Sequence, residues 1–445
     1  MSPFLLALVI AQTAEIIQTQ EVRPLPGKLD SVPVFNSNSP EKVVTPGILL
    51  STFPSGGKKN PNAHLNFGFR GRFDVFTHHV FAAPTPEDLK SLYLGVLLHN
   101  PGKTPITVKV LQAATYLSQP DAPFIELPSF AANPQGNVYA GPGSRVMNEI
   151  LRRQRQAIFP RQIVIPPGQS QMLLNTPIPV QGLTPPLNGR SSYVRLQSSG
   201  KVYAASLAMM APINGDGSER PPTVAEWEDI LENGDLSAPR DKIPTPIEQN
   251  SPRIYGRVAG VAQGSRWRSF ITDSNKVKYL TIPQAGQSYS YGISTLHGGT
   301  LGTNQVQSAP MLARYPDTAY LAHGNYGVEY NLKLPLYNDT SQSQQVSVSI
   351  QTPIKEDKLT QAGLRFLANP VKSTFFRGTV RIAYRDQKGK LKSKYIHLAQ
   401  KRGQSGEPLA NFNLPAGGKK FVEVDLIYPP DATPPQVLTV ATDGK

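Results

Sequence analysis

GVLLHNPGKTPITVKV, residues 95–110, sets an apolar run against an alternating one, with Asn-Pro-Gly-Lys between them. Pro and Gly at that place favour a turn, and Ile106, Val108 and Val110 alternate with Thr107 and Lys109 as in a strand with one buried face. The same phrase returns at residues 331–350 as NLKLPLYNDTSQSQQVSVSI. Each copy is followed by a second strand-turn-strand, QIVIPPGQSQMLLNTPIPV at 162–180 and NFNLPAGGKKFVEVDLIYPP at 411–430. Asn100 precedes Gly168 by 68 residues, and Asn338 precedes Gly417 by 79. Two matched pairs in the same order predict two copies of one β-sandwich plan, immunoglobulin-like or fibronectin-like in architecture.

The flanking sequence fits that plan. HLNFGFRGRFDVFTHHVFA, LYLGVLLHN and SSYVRLQSSGKVYAASLAMM in the first half are rich in β-branched and aromatic residues and bounded by Gly, Pro or Asn. RIYGRVAGVA, QSYSYGISTL, YGVEYNLKLPLYN and STFFRGTVRIAYRDQKGKLKSKYIHLAQ continue the pattern in the second, the last with a hairpin turn at 386–390. Helix signals are few. SRVMNEILRRQRQ, 144–156, has a Ser cap, Val146, Ile150 and Leu151 at helical spacing, and a basic end that complements the helix dipole. TVAEWEDILENGDL, 223–236, is acidic, with Val224, Trp227, Ile230 and Leu231 along one side. A chain of 445 residues exceeds what one core usually supports. The predicted organisation is a leader at 1–14, a β-sandwich domain at 15–214, a Pro-rich connector with the acidic helix at 215–253, and a second β-sandwich domain at 254–445.

Composition narrows the function classes. The 43 Pro and 36 Gly suit many short strands, while 17 Tyr, 17 Phe and 39% hydrophobic residues supply real cores. The lack of Cys excludes disulfides, thiolate metal centres and a Cys nucleophile. A net charge of +14 favours polyanionic surroundings: nucleic acid, lipopolysaccharide or acidic exopolysaccharide. At the amino terminus, MSPFLLALVIAQTAEIIQTQEV has an apolar run at 3–11 too short to span a bilayer, and Val9-Ile10-Ala11 offers a secretory cleavage site. No Lys or Arg precedes the run, the first basic residue being Arg23. Export to an extracytoplasmic setting (periplasm, outer envelope or medium) is the expectation, and it turns the polyanion away from nucleic acid. No other stretch approaches the length of a membrane-spanning helix.

Chemical sites are sparse in a chain with seven His. Asp74, His78 and His79 in GRFDVFTHHV, with His99 on a neighbouring strand, are the candidate metal ligands; Asp74 and His78 share a strand face and His79 takes the other. No HExxH spacing accompanies them. STLHGGTLGTNQVQSAP, 294–310, carries His297 in a Gly-rich setting but lacks a P-loop's Gly-Lys-Ser/Thr, so it reads as a long surface loop able to wrap a ligand. Tyr326 and Tyr330 in AHGNYGVEY are candidates to stack on sugar rings. In the hairpin at 375–400, Arg377, Arg381 and Arg385 alternate on one strand and Lys390, Lys392 and Lys394 on the other. With both sets facing solvent they form a basic stripe along which a polyanion lies, although edge strands also use such charges against aggregation. For glycoside hydrolysis, Asp74, Glu329, Asp339 and Glu356 are available, but nothing pairs them across a cleft.

Several continuous stretches carry a family resemblance: LYLGVLLHNPGKTP, ATYLSQPDAPFIELP, YAGPGSRVM, IPPGQSQMLLN, STLHGGTLGTNQVQSAPM, AHGNYGVEYNLKLPLYN and YPPDATPPQVLTV. Together they make the chain resemble a cyanobacterial family of secreted proteins known as domain of unknown function 3370. The resemblance covers nearly all of the chain past the leader. It implies a cyanobacterial source and an extracytoplasmic setting, and it implies no activity. The expectation is an all-β protein, secreted or envelope-associated, non-enzymatic and without cofactor, that binds an anionic polysaccharide or other envelope component. A glycan-acting hydrolase of the envelope is the alternative. An outer-membrane barrel fits poorly, because the strand signals are irregularly spaced and Pro-laden.

Overall fold

A computed structural model describes residues 14–249, 252–386 and 388–444. Apart from Ala14, the leader expected at 1–14 lies outside the described residues. Strands take up 46% of the chain against 5% for helices, which makes the fold all-β. Among the described residues no helix is long and apolar enough to cross a membrane.

The first sandwich is built from β1 (Pro33–Ser37), β2 (Phe69–Ala82), β3 (Leu92–His99), β4 (Ile106–Leu117), β5 (Gln162–Ile165), β6 (Ser170–Ile178) and β7 (Leu187–Met210). The last is 24 residues long and serves both layers. Its residues 187–198 run between β2 and β4; after an irregularity at 198–202, residues 203–210 run between β3 and the strand Gly47–Ser51. Phe35, Phe73, Leu94, Val96, Val108 and Leu196 fill the space between the layers.

The second half contributes β8 (Ala259–Gln263), β9 (Arg266–Phe270), β10 (Ser288–Ile293), β11 (Ala309–Arg314), β12 (Glu329–Tyr337), β13 (Gln344–Gln351), β14 (Thr374–Arg385), β15 (Leu391–Lys401), β16 (Pro408–Leu414), β17 (Lys419–Ile427) and β18 (Gln436–Thr442). One layer has the order β15-β14-β17-β12-β9, the other β10-β18-β13-β16. Leu332, Leu334, Val348, Ile382, Val422 and Val424 pack between them.

The repeated phrase is a repeated structure. Asn100 and Asn338 are both fully buried. Asn100 Nδ2 donates to the carbonyls of Thr104, Ile165 and Pro166 at 2.8, 3.0 and 3.2 Å. Asn338 Nδ2 donates to those of Gln342, Leu414 and Pro415 at 2.7, 2.9 and 3.0 Å, positions that match one for one. The register agrees as well. His99 pairs with Ser170 and Tyr337 with Lys419; Ile106 pairs with Ile165 and Gln344 with Leu414. Each asparagine therefore ties its own turn to the partner turn, where Gly168 and Gly417 take φ of 65° and 67°, a conformation that favours glycine.

Strand pairing crosses the boundary expected at 215–253 in both directions. Short strands from the amino-terminal segment, Glu15–Thr19, Glu21–Arg23 and Lys28–Leu29, pair with Gly363–Leu367, β10 and β9. In return β8 joins β1 and carries β11 with it, extending the first sandwich's sheet.

Two α-helices complete the described fold. The helix expected at 144–156 is α1, Pro142–Leu151, with Pro at its start and Gly141 as N-cap. Ser144 is thus inside the helix, its Oγ 3.2 Å from His397 Nε2. Val146, Met147, Ile150 and Leu151 wedge it between the two sandwiches. The connector helix α2, Val224–Asn233, begins with a Thr223–Glu226 capping box. It docks on the first sandwich through Trp227, which is fully buried. Gly95, from the opening stretch, makes room: a Cβ there would lie 2.7 Å from the indole ring.

Candidate polyanion-binding surface

The basic hairpin forms as read, with Asp386 Oδ1 accepting from the amides of Lys388 and Lys390 at 2.9 and 3.0 Å to close the turn. The expected single stripe does not. In this register Arg381 is opposite Tyr395, Ile382 opposite Lys394, and Tyr384 opposite Lys392. Directly paired residues share a face, so Arg377, Arg381 and Arg385 lie on one side of the sheet and Lys392 and Lys394 on the other. Two of the arginines are also engaged locally. Arg377 lies 5.2 Å from the Phe124 ring centroid, and Arg385 donates to the Gly389 carbonyl at 2.7 Å.

Arg381 belongs to a different array. The pairings Arg268–Asn331, Asn331–Asp425 and Asp425–Arg381 make one row across β9, β12, β17 and β14 on the outer face of the second sandwich. The next row holds Phe270, Lys333 and Glu423. An open groove of about 530 Å³ follows these rows, with Arg153, beyond the end of α1, reaching in from above. Arg381 is committed to Asp425 and lies 3.6 Å from Glu423, and Arg153 is committed to Glu329. Arg268 and Lys333 are exposed and, among the described residues, have no ion-pair partner. Beside them Phe270 and Phe421 are 49% and 44% exposed, their rings 6.3 Å apart. Farther along, Tyr279 and Tyr337 stand 4.8 Å apart, with Lys419 Nζ 5.3 Å from the Tyr337 ring centre. Unneutralised cations next to half-exposed aromatic rings suit an anionic sugar polymer, whose carboxylates or sulfates meet the cations while its ring C–H faces meet the aromatics.

The other predicted residues fall elsewhere. Tyr330 is fully buried and hydrogen-bonded to Asn325, Gln307 and the Ser294 amide, so it is a core residue. Tyr326 is half-buried, donates to the Ala432 carbonyl at 3.0 Å and stacks on Tyr428. The Gly-rich loop is not free: the amides of Leu301 and Gly302 bond to the carbonyls of Glu356 and Asp357. His297 accepts from the Tyr255 hydroxyl through its backbone carbonyl at 2.6 Å.

The candidate metal ligands do not converge. Asp74 pairs across to Arg195 in one layer of the first sandwich, while His99 pairs to Tyr203 in the other. His78 faces Ser191, Nδ1 to Oγ 2.7 Å, and His79 bonds to Ser37 and the Pro40 carbonyl. Among the described residues no three His, Asp or Glu side chains come together to hold a metal. The hydrolase carboxylates fare similarly. Asp74 and Glu329 are both fully buried on opposite sides of Arg195, and Glu356 is held by Thr360 and Arg365. Burial pushes the Glu329 carboxyl up, but hydrogen bonds and charge from Arg153 and Arg195 prevail and hold it well below the usual carboxylate range. A glycosidase acid needs the opposite shift.

The histidines make the fold acid-sensitive. Burial, reinforced by nearby positive groups, lowers His78 to about 3 and His397 to about 4, and burial likewise lowers His79 to about 4, from 6.5. Below pH 6.5 the unfolded chain takes up protons that the folded protein refuses, so stability is full above 6.5 and is lost as pH falls through the folded values. Each ring weakens the fold by up to about 1.4 kcal/mol per pH unit in that window. Denaturant midpoints should be flat above about pH 7 and fall steeply below about pH 6; a flat profile down to about pH 4.5 would show these rings to be protonated in the fold.

Arg268, Lys333, Phe270 and Phe421 were not singled out by the sequence reading. Their alternation in RWRSF, NLKLPLY and KKFVEVDLI marks them as outward-facing, but only the parallel pairing of β9 with β12 and the antiparallel pairing of β12 with β17 show that they share a surface.

Solved structures similar to the chain include an 11S allergen from Cocos nucifera L. at 7% identity, covering 83% of this chain and 89% of that one, with a TM-score of 0.12. A mutant of Bacillus subtilis oxalate decarboxylase shows 8% identity over 85% of this chain and 74% of that one, with a TM-score of 0.10. At these scores neither likeness bears on fold or function. No curated protein matches the chain. The family described as "Protein of unknown function (DUF3370)" matches residues 20–442, from just before the short strand Glu21–Arg23 to the last residue of β18. A match over nearly the whole length carries the conclusion the wording of the sequence implied: the chain belongs to the DUF3370 family.

Proposed function

We propose that this is a non-enzymatic, extracytoplasmic binding protein that holds an anionic polysaccharide of the cell envelope against the outer face of its second sandwich. The observation that carries the reading is the adjacency of Arg268 and Lys333, exposed and unpaired among the described residues, to the half-exposed Phe270 and Phe421 rings. The chain's net charge of +14 adds long-range attraction to such a polymer.

Electrophoresis through gels containing a polyuronate, compared with gels containing neutral dextran, tests it. The protein should be retarded by the polyuronate alone, and the effect should fade as ionic strength rises from about 20 to about 300 mM. Replacing Arg268 and Lys333 together by Ser should weaken binding about tenfold, since each exposed charge contact supplies up to about 1 kcal/mol. Phe270→Ala with Phe421→Ala should weaken it by a similar factor through lost ring contact. Equal retardation by dextran, or retardation that both double variants leave intact, would sink the reading. Export is checked separately, by sequencing the mature amino terminus in cell fractions. Cleavage near Ala11 or Ala14 in envelope or medium agrees with it, and an uncleaved cytoplasmic chain contradicts it.

A further inference from the structure

The cationic surface does not stop at the edge of the second sandwich. Along β12 the outward side chains Lys333 and Asn331 lead back to Glu329, and Asn331 Nδ2 donates to Glu329 Oε1 at 3.0 Å. Glu329 in turn accepts from Arg195 of β7 at 2.7 Å. Val194 and Leu196 point into the first sandwich, so Arg195 and Gln197 share its outer face. From Gln197 the pairing runs to Arg72 of β2 on one side and to Lys109 of β4 on the other, and from Lys109 to Gln162 of β5. Arg72, Gln197, Lys109 and Gln162 thus form one row that continues the outer surface of the second sandwich across the junction, and the row holds no acidic side chain.

The junction itself carries surplus positive charge. Arg72, Arg153, Arg195 and Arg266 surround the carboxylates of Asp74 and Glu329, four cations to two anions. Both carboxylates are fully buried, whereas the Arg153 side chain is 49% exposed. A ligand arriving here meets guanidinium groups.

Beyond that row β7 departs from its partner. Ser198 pairs with Gly71 and Val202 with Phe69, which leaves residues 199–201 opposite Arg70. A bulge of this kind ends regular pairing and re-aims side chains. Phe69 and Phe73 go to the core, so Arg70 joins Arg72 on the outer face. The stem of Lys201 lies over Gly68, where a Cβ would come within 2.2 Å of Lys201 Cε, and its Nζ is 4.8 Å from the Tyr203 ring centre. An open groove of about 460 Å³ follows, bordered by Arg70, Thr104, Ser199 and Lys201 and by no acidic residue. Arg70, Lys109 and Lys201 are exposed and, among the described residues, have no ion-pair partner. The amides of Gln162 and Gln197, exposed beside Lys109, suit the hydroxyl groups of a sugar.

We infer that a single anionic polysaccharide chain is bound along both sandwiches: from the cations and aromatic rings of the second, over the arginines at the junction, to a further subsite at Arg70, Lys109 and Lys201 on the first. The inference rests on the polysaccharide reading and narrows its ligand to a long chain with charge distributed along it. At about 3.3 Å per residue, 331–337 of β12 and 195–201 of β7 each span about 20 Å, so the whole track is about 40 Å long. A chain that reaches both ends gains the second set of contacts without a second association step.

Fluorescence anisotropy with end-labelled oligouronates tests the track on the full chain, using oligomers up to about 20 Å and others above about 40 Å in length. The long ones should bind at least about tenfold more tightly than the short ones. Arg70→Ser with Lys109→Ser and Lys201→Ser should remove that gain and leave the affinity for short oligomers unchanged, whereas Arg268→Ser with Lys333→Ser should weaken both. Short and long oligomers that bind alike, with binding still weakened by the Arg268 and Lys333 substitutions, would overturn the track and leave the reading of the second sandwich standing. Long-chain affinity that the triple variant leaves intact would do the same. Absence of binding at either length, or binding that the Arg268 and Lys333 substitutions do not touch, would sink both. All the substituted positions are exposed, and circular dichroism melts of the variants keep a folding loss from being read as a binding loss.

Discussion

Glu329→Ala should cost about 3–5 kcal/mol of stability, the expected loss when one member of a buried ion pair is removed. Arg195 is only 1% exposed and holds two carboxylates, with Nη1 2.7 Å from Glu329 Oε2 and Nε 3.5 Å from Asp74 Oδ2. Arg153 and Arg266 approach Glu329 as well, Arg266 Nε at 3.0 Å, and Tyr193 donates to Asp74 at 2.9 Å. These residues come from β2 and β7 of the first sandwich, β9 and β12 of the second, and the segment after α1. With Glu329 gone, Arg195 keeps a single carboxylate at longer range, and Arg153 and Arg266 lose their only ion-pair partner among the described residues. Because the cluster joins the two sandwiches, urea unfolding of the variant should also lose the single steep transition expected of tightly docked halves. A loss below about 1 kcal/mol would mean that water reaches Arg195 and that the cluster adds little to docking.

Asn338→Ala should cost about 2–4 kcal/mol, and Asn100→Ala should cost the same within about 1 kcal/mol. Each substitution strips a donor from three carbonyls and an acceptor from the turn, since the Gly102 and Thr340 amides bond to the two Oδ1 atoms at 2.9 and 3.0 Å. Asp at either position should be worse than Ala, because its carboxylate would face the three carbonyl oxygens without a proton to offer. Thermal or urea denaturation of the four variants measures this. A large cost at one asparagine and none at the other would separate the two turns energetically, despite their matched geometry.

Those asparagines also show how far the sequence could be read. The turn, the alternating strand and the later Pro-Gly or Ala-Gly turn are local signals, carried within a few residues by chain stiffness and side-chain period. They were enough for two all-β halves with corresponding hairpins and for both helices to within a few residues. What escaped was set by pairing between distant segments. Nothing local in Glu21–Arg23 announces a parallel partner in β10, and nothing in β8 announces that it will cross to β1. The basic hairpin failed for the same reason. Alternation on each strand was visible, but which alternation shares a face depends on register, and here Arg381 meets Tyr395 while Lys394 meets Ile382. Tyr330, read as a sugar-stacking residue, lies on the β12 face that looks into the core, with Leu332 and Leu334.

The most direct test of the binding face is hydroxyl-radical footprinting of the protein with and without a uronate oligomer. Phe270, Phe421, Tyr279 and Tyr337 should lose labelling when the oligomer is bound, while exposed aromatic positions off the face, such as Phe124, keep theirs. Binding without protection of Phe270 and Phe421, or with protection confined to another surface, would contradict the account.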